Sequence, residues 1–112
     1  MEDQYLGAFE EIVLLAVCGV EEDPYAVPIQ EHIENRAGRK TSIGSVYRTL
    51  SRLEKKGYLR SRMGEITRER GGKRKRLYEI SSLGRSRLLE ARRTRSRLWS
   101  DLNLTPTLRI SR

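Results

Sequence analysis

The sequence predicts a mainly α fold with one small β-hairpin, an α+β chain of three short helices, two strands and one long last helix. Three observations predict it. Helical apolar patterns fill the stretches that end at Val20, Ala37 and Lys56. Directly after Gly57 the period changes to alternation, in two short runs separated by a basic loop that contains Gly71-Gly72. After Ser81 a three-four-three-four apolar spacing takes over. A three-helix unit feeding a β-hairpin is the winged variant of the helix-turn-helix, here extended by a C-terminal helix suited to dimerisation.

Residues 1–5 are expected to lie outside the fold, and Leu6 to Val20 reads as the first helix. Glu10 and Glu11 fall in its early turns, where the helix dipole favours anions. The run Ile12 to Cys18 is apolar nearly all round, so this helix should be covered on several sides, with Cys18 as a small buried hydrophobe. Glu21, Glu22, Asp23 and Pro24 form a polar connection. The second helix spans Val27 to Ala37, with Ile29, Ile33 and Ala37 inward, Pro28 in the first turn where its missing N–H costs nothing, and Gly38 as the stop. His32 lies off that stripe. With a single Cys and no second His it reads as a surface residue, and no metal or other cofactor is expected.

The stretch Thr41 to Gly57 organises the chain. Ile43, Val46, Leu50 and Leu53 share one side of a helix; Thr41 or Ser42 can cap its start, and Gly57 can turn left-handed at its end, with Tyr58 or Leu59 folding back on the last turn. The other side carries Ser45, Arg48, Thr49, Arg52, Lys55 and Lys56. Taken alone this is equally a solvated amphipathic helix; the adjoining hairpin makes it a recognition helix, with one face for a core and one for a polyanion.

Leu59, Ser61 and Met63 alternate with Arg60 and Arg62 in the first strand, and Arg76 to Ile80 returns with Tyr78 and Ile80 on one face. Gly64 to Lys75 is too long for a tight turn, and Lys73, Arg74, Lys75 and Arg76 are four consecutive cations. A charge run is commonly just a solvated loop. Beside a recognition helix it reads as a wing that grips phosphates or enters a minor groove. Ser81 or Ser82 then caps a helix running to about Asn103, ahead of Pro106. Along it Leu88, Ala91, Arg95, Leu98 and Leu102 form a coiled-coil seam interrupted by Arg95, through which two copies would pair. Trp99 beside the seam is either a packing residue or the lining of an effector pocket between subunits. The expected organisation is a DNA-binding body over 1–81, a dimerisation helix over 82–105 and a tail over 106–112.

Net charge is +8 over 112 residues, unevenly placed: residues 1–38 hold nine acidic side chains against Arg36, whereas residues 39–97 hold twenty basic against five acidic. That split suits one face presented to a polyanion. The longest apolar run, Ile12 to Val20, is about half a membrane span and comes after acidic residues, so a cytoplasmic protein with no membrane partner is expected. With one His, one Cys, no Gly-rich phosphate loop and no carboxylate cluster, an enzyme is not expected.

Leu6-Gly7-x-Phe9-Glu10, Tyr25-Ala-Val-Pro-Ile29, Gly44-Ser-Val-Tyr-Arg-Thr-Leu-Ser-Arg-Leu-Glu-Lys-Lys-Gly57 and Gly71-Gly-Lys-Arg-Lys-Arg-Leu-Tyr78, ending at Ser81-x-x-Gly84, resemble the PadR family of bacterial transcriptional regulators. The third segment is the specific one. The resemblance implies a homodimer, usually a repressor, paired by the last helix with help from the first; members of this length class are expected to take hydrophobic or planar effectors between subunits. By matching position it adds Tyr47 to the DNA contacts. Ala26, Arg48, Leu77 and Lys73-Arg74 depart from the common pattern.

On this reading Arg48, Arg52, Lys55, Lys56 and the wing cations provide affinity for an operator duplex by releasing counterions from phosphates. Ser42, Ser45, Tyr47, Arg48 and Thr49 are the candidates for base edges, with Arg48 best placed for a guanine. The rival readings are a winged-helix protein-interaction module and a basic RNA-binding protein, although no aromatic-interleaved motif for stacking unpaired bases is present.

Overall fold

In the computed structural model the described residues are 5–65 and 74–102, arranged as α1 (Ala8–Gly19), α2 (Ala26–Ala37), α3 (Ile43–Lys55), β1 (Leu59–Met63), β2 (Arg76–Ile80) and α4 (Ser82–Ser100). The order is the expected one, with α1 and α4 shorter than the sequence pattern. Lys73 and the tail expected over 106–112 lie outside the described residues.

α1, α2 and α3 pack pairwise, and the hairpin leans on α1 and α3. Val13, Leu14 and Val17 of α1, Ile29 and Ile33 of α2, and Val46, Leu50 and Leu53 of α3 meet at the centre, closed by Tyr58, Leu59 and Tyr78. Burying such side chains is the main favourable term available to a domain of this size. β1 and β2 are antiparallel, with Leu59 opposite Ile80 and Ser61 opposite Tyr78. The Tyr78 N–H also donates to Pro24 O at 2.9 Å, so the α1–α2 connection lends the sheet a backbone acceptor.

Ser42 caps α3 by accepting from Ser45 N, and the helix ends as the sequence suggests. Gly57 sits at φ 84°. Tyr58 N donates to Leu53 O and Gly57 N to Glu54 O, the paired bonds of a Schellman motif, for which only glycine is unstrained at the turning residue.

Ser81 caps α4, and its hydroxyl does two jobs: it accepts from Gly84 N at 3.0 Å and donates to Gly57 O at 2.6 Å. The Ser81 N–H donates to Tyr58 O. The first turn of α4 is thus fastened onto the chain just after α3. Gly84 fits because its Cα rides directly on the Tyr58 carbonyl, which gives the Ser-x-x-Gly spacing a physical reason. Beyond this anchor α4 touches the body through Leu88, packed on the core, and through Arg95, paired with Glu11 of α1. From Arg92 to Leu102 every residue is exposed.

One expectation about α1 is corrected. Cys18 is exposed, not buried, and Leu15, three residues earlier on the same face, is exposed too. The residues apolar all round α1 are covered by α2, α3 and the hairpin on their sides, but the Leu15–Cys18 face opens onto a groove toward α4. His32 is half-buried. Its ring lies where a Cβ on Gly19 would be, so Gly19 allows α1 and α2 to close together. Among the described residues no group of three or more His, Cys, Asp or Glu side chains gathers, and no helix is long and apolar enough to cross a membrane.

Candidate nucleic-acid interface

The outward side of α3 is polar and cationic. Ser42, Tyr47, Arg48, Arg52 and Lys55 are exposed, and Ser45 is half-buried. Arg48 reaches back over the first turn, its Nη2 donating to Ser45 Oγ at 3.2 Å, while Ser42 and Ser45 hydroxyls are 2.9 Å apart. No acidic residue stands in that first turn, so the positive end of the helix dipole is uncompensated there. A carboxylate-free, donor-rich helix start of this kind can approach phosphates and base edges.

Two residues expected on this face are not on it. Thr49 is only 2% exposed. At about 100° per residue it lies about 40° from Leu53 and about 100° from Arg48, and α1 closes over that edge. Lys56 is drawn inward as well: its Nζ lies 3.0 and 3.1 Å from the two oxygens of Glu10, and its side chain is 15% exposed. Its charge is already partnered within the chain.

Glu10 is the residue that sequence reasoning assigned only to the helix dipole. Its side chain is 7% exposed and gathers three donors: Gly7 N at 2.8 Å, Arg52 Nε at 2.9 Å and Lys56 Nζ. Burial works to raise the Glu10 carboxyl, but the Gly7 N–H, Lys56 and Arg52 outweigh it and hold the group below the ordinary carboxylate range. The sequence signal was an acid three residues after Gly7, the N-cap position, in a helix otherwise apolar on that side. Because folding lowers this value, the stabilisation is whole above the ordinary 4.5 and is lost as the pH falls through the lower folded value. We expect Glu10→Gln to cost about 1–3 kcal/mol at neutral pH. Denaturant melts at pH 7 and pH 3 should show that deficit shrinking on acidification; a deficit independent of pH would refute the assignment.

The hairpin adjoins this face. Ser61 Oγ donates to Glu54 Oε2 of α3 at 2.7 Å and accepts from Arg76 Nη1 at 2.9 Å. Of the wing cations, Arg74 is exposed with its Nε on Gly64 O, and Arg76 is exposed. Lys75 turns back, its Nζ 5.3 Å from the centre of the Tyr25 ring. The structure therefore places Arg48, Arg52 and Lys55 exposed on α3, and Arg76 exposed on a strand linked to that helix through Ser61 and Glu54.

α4 and the turn that follows it carry the residues of the expected seam. Leu88 is packed on the core and Ala91 is half-buried, whereas Leu98, Trp99 and Leu102 are exposed, the first two by 62% and 60%. Arg95, the interruption in that seam, has a partner within the chain: Nη2 lies 2.7 Å from Glu11 Oε1 on α1.

Three helices, a hairpin laid against the third of them and a long trailing helix define a winged helix-turn-helix protein. Residues 14–90 match the profile of the transcriptional regulator PadR-like family, and the chain belongs to that family. Solved structures agree on the fold. A PadR-like transcription factor from Bacteroides fragilis superposes with a TM-score of 0.71 at 24% identity, covering 85% of this chain and 86% of that one. A PadR-like transcriptional regulator from Bacillus cereus gives 0.68 at 20% identity, covering 87% and 89%. Bacillus subtilis PadR, solved in complex with operator DNA, gives 0.62 at 14% identity, covering 74% of this chain and 45% of that one. No curated protein gives a significant match.

Proposed function

We propose that this regulator is a cytoplasmic, homodimeric repressor that binds a specific duplex operator, with α3 in the major groove and the hairpin loop on the flanking backbone. The observation that carries the reading is the placement of Arg48, Arg52 and Lys55 on one open side of α3, the helix to which the hairpin base is bonded. Tyr47, Ser42 and Ser45 add groups able to meet base edges, and Arg74 and Arg76 add charge for phosphates. The family membership and the fold shared with an operator-bound relative support it. One α3 spans only a few base pairs, so a two-fold pair on a palindromic site is the working form.

The exposed Leu15, Leu89, Leu98 and Trp99 support pairing through α4 and α1. A groove of about 540 Å³ between these helices, lined by Leu15, Leu89 and Trp99, is where a planar or apolar effector would lie and relieve repression.

Arg48→Ala is expected to cost about 1–3 kcal/mol of specific binding, because a bidentate guanine contact has no substitute nearby. Gel-shift titrations against operator and random duplex measure it. Unchanged discrimination between the two would remove Arg48 from base reading, and absence of duplex binding by the unaltered protein at low salt would favour a protein-interaction module instead.

A further inference from the structure

Glu10 touches Arg52 of α3 and Lys56 at that helix's C-cap but treats them differently, and this difference bears on how the helix meets DNA. Arg52 meets Glu10 through Nε, its Nη2 lies 3.5 Å from Thr49 Oγ1, and its side chain remains 52% exposed. A guanidinium held by its Nε and Nη2 donors still has its Nη1 donors to offer a phosphate oxygen. Lys56 is held by both carboxylate oxygens and is largely covered. The carboxylate itself cannot wander, since Gly7 N anchors it from the start of α1.

We infer that Glu10 is a positioning residue for operator binding: it aims Arg52 at the backbone and withdraws the Lys56 charge from non-specific contact. The inference rests on the proposed DNA-binding role of α3. Arg52 and Lys56 lie four residues apart, and Arg48 lies four before Arg52, so all three line neighbouring strips of one helix surface. Without Glu10, Lys56 would be a further cation free to neutralise a phosphate on any sequence. Arg52 would at the same time lose the fixed direction that makes its contact productive only in register. A carboxylate of this kind lowers non-specific attraction more than specific attraction.

The test is the salt dependence of binding by the full-length protein, measured on an operator duplex and on a random duplex. For random DNA the slope of log K against log salt counts the phosphates neutralised, each adding about 0.9. Glu10→Gln should steepen that slope by about one phosphate and reduce the operator-to-random affinity ratio about tenfold. Adding Lys56→Gln to Glu10→Gln should restore the random-DNA slope but not the ratio, because Arg52 stays unaimed. A merely structural role for Glu10 would lower affinity on both duplexes without moving the slope. Circular dichroism confirms that each variant is folded. An unchanged slope and ratio in folded Glu10→Gln overturns the inference while leaving operator binding intact; an unaltered protein that binds neither duplex overturns the DNA-binding reading itself.

Discussion

Gly84→Ala is expected to unfold the domain about 10–20 °C below the unaltered protein, a cost of about 2–3 kcal/mol. A Cβ at residue 84 would press into the carbonyl of Tyr58 and meet a side-chain carbon of Ile80 at 2.8 Å. The carbonyl cannot retreat, since it accepts from Ser81 N. Tyr58 is buried, and its own N–H closes the end of α3, so a shift there would spread to α3 itself. The ordinary effect of this substitution inside a helix has the opposite sign, because alanine is the better helix former by roughly 1 kcal/mol. Gly44 on α3 supplies that comparison: the nearest atom to an added Cβ is the movable Arg48 Nη1 at 3.4 Å, and Gly44→Ala should hold or raise the melting temperature. Thermal melts of the two variants together decide the matter. Equal melting temperatures would mean that α4 is not seated on Tyr58 as described.

The second large effect is expected at Leu98. Its side chain projects from the half of α4 that, among the described residues, is tied to the body by the Arg95–Glu11 pair, and Trp99 and Leu102 beside it are also exposed. So much apolar surface on one free helix is costly to leave in water, and a second copy of the same helix would cover it. At a two-fold axis Leu98→Glu would set two carboxylates facing each other in an apolar seam, adding repulsion to desolvation. We expect sedimentation to report a 13.0 kDa species for the variant and a particle of twice that mass for the parent. Trp99 gives a second reading of the same event, since its emission should move to the red when the seam opens. Loss of pairing should weaken operator binding far more than any single cation does, because two recognition helices act at one effective concentration. A dimeric Leu98→Glu protein would show that the copies meet elsewhere.

Much of this architecture could be read from residue order. The start and stop of α3 were legible at Ser42 and Gly57 because caps are local chemistry, set by one hydroxyl and one left-handed residue. The strand faces followed from alternation. Thr49 was misplaced because a polar residue at the margin of an apolar arc is covered or open according to the neighbouring helix, and helical period alone does not say how wide that neighbour is. Lys56 was misplaced for a related reason: its partner is 46 residues away, and Glu10 looked complete as an N-terminal anion. Cys18 belongs to a run hydrophobic enough for burial, but one face of α1 is left uncovered by the single chain. In each case local pattern named the right residue type, and the long-range packing decided its duty.

The bond from Tyr78 N to Pro24 O also governs how the hairpin can vary. With Ser61 fixed to Glu54 on the other flank, the stem is braced on both sides by parts of the body that lie outside the loop between the strands. The tilt at which the stem leaves the body is therefore independent of the length and composition of the chain between Glu65 and Arg74. Insertions or deletions between residues 66 and 73 would leave the angle of the stem to α3 unchanged, a property that a length series in that segment can test.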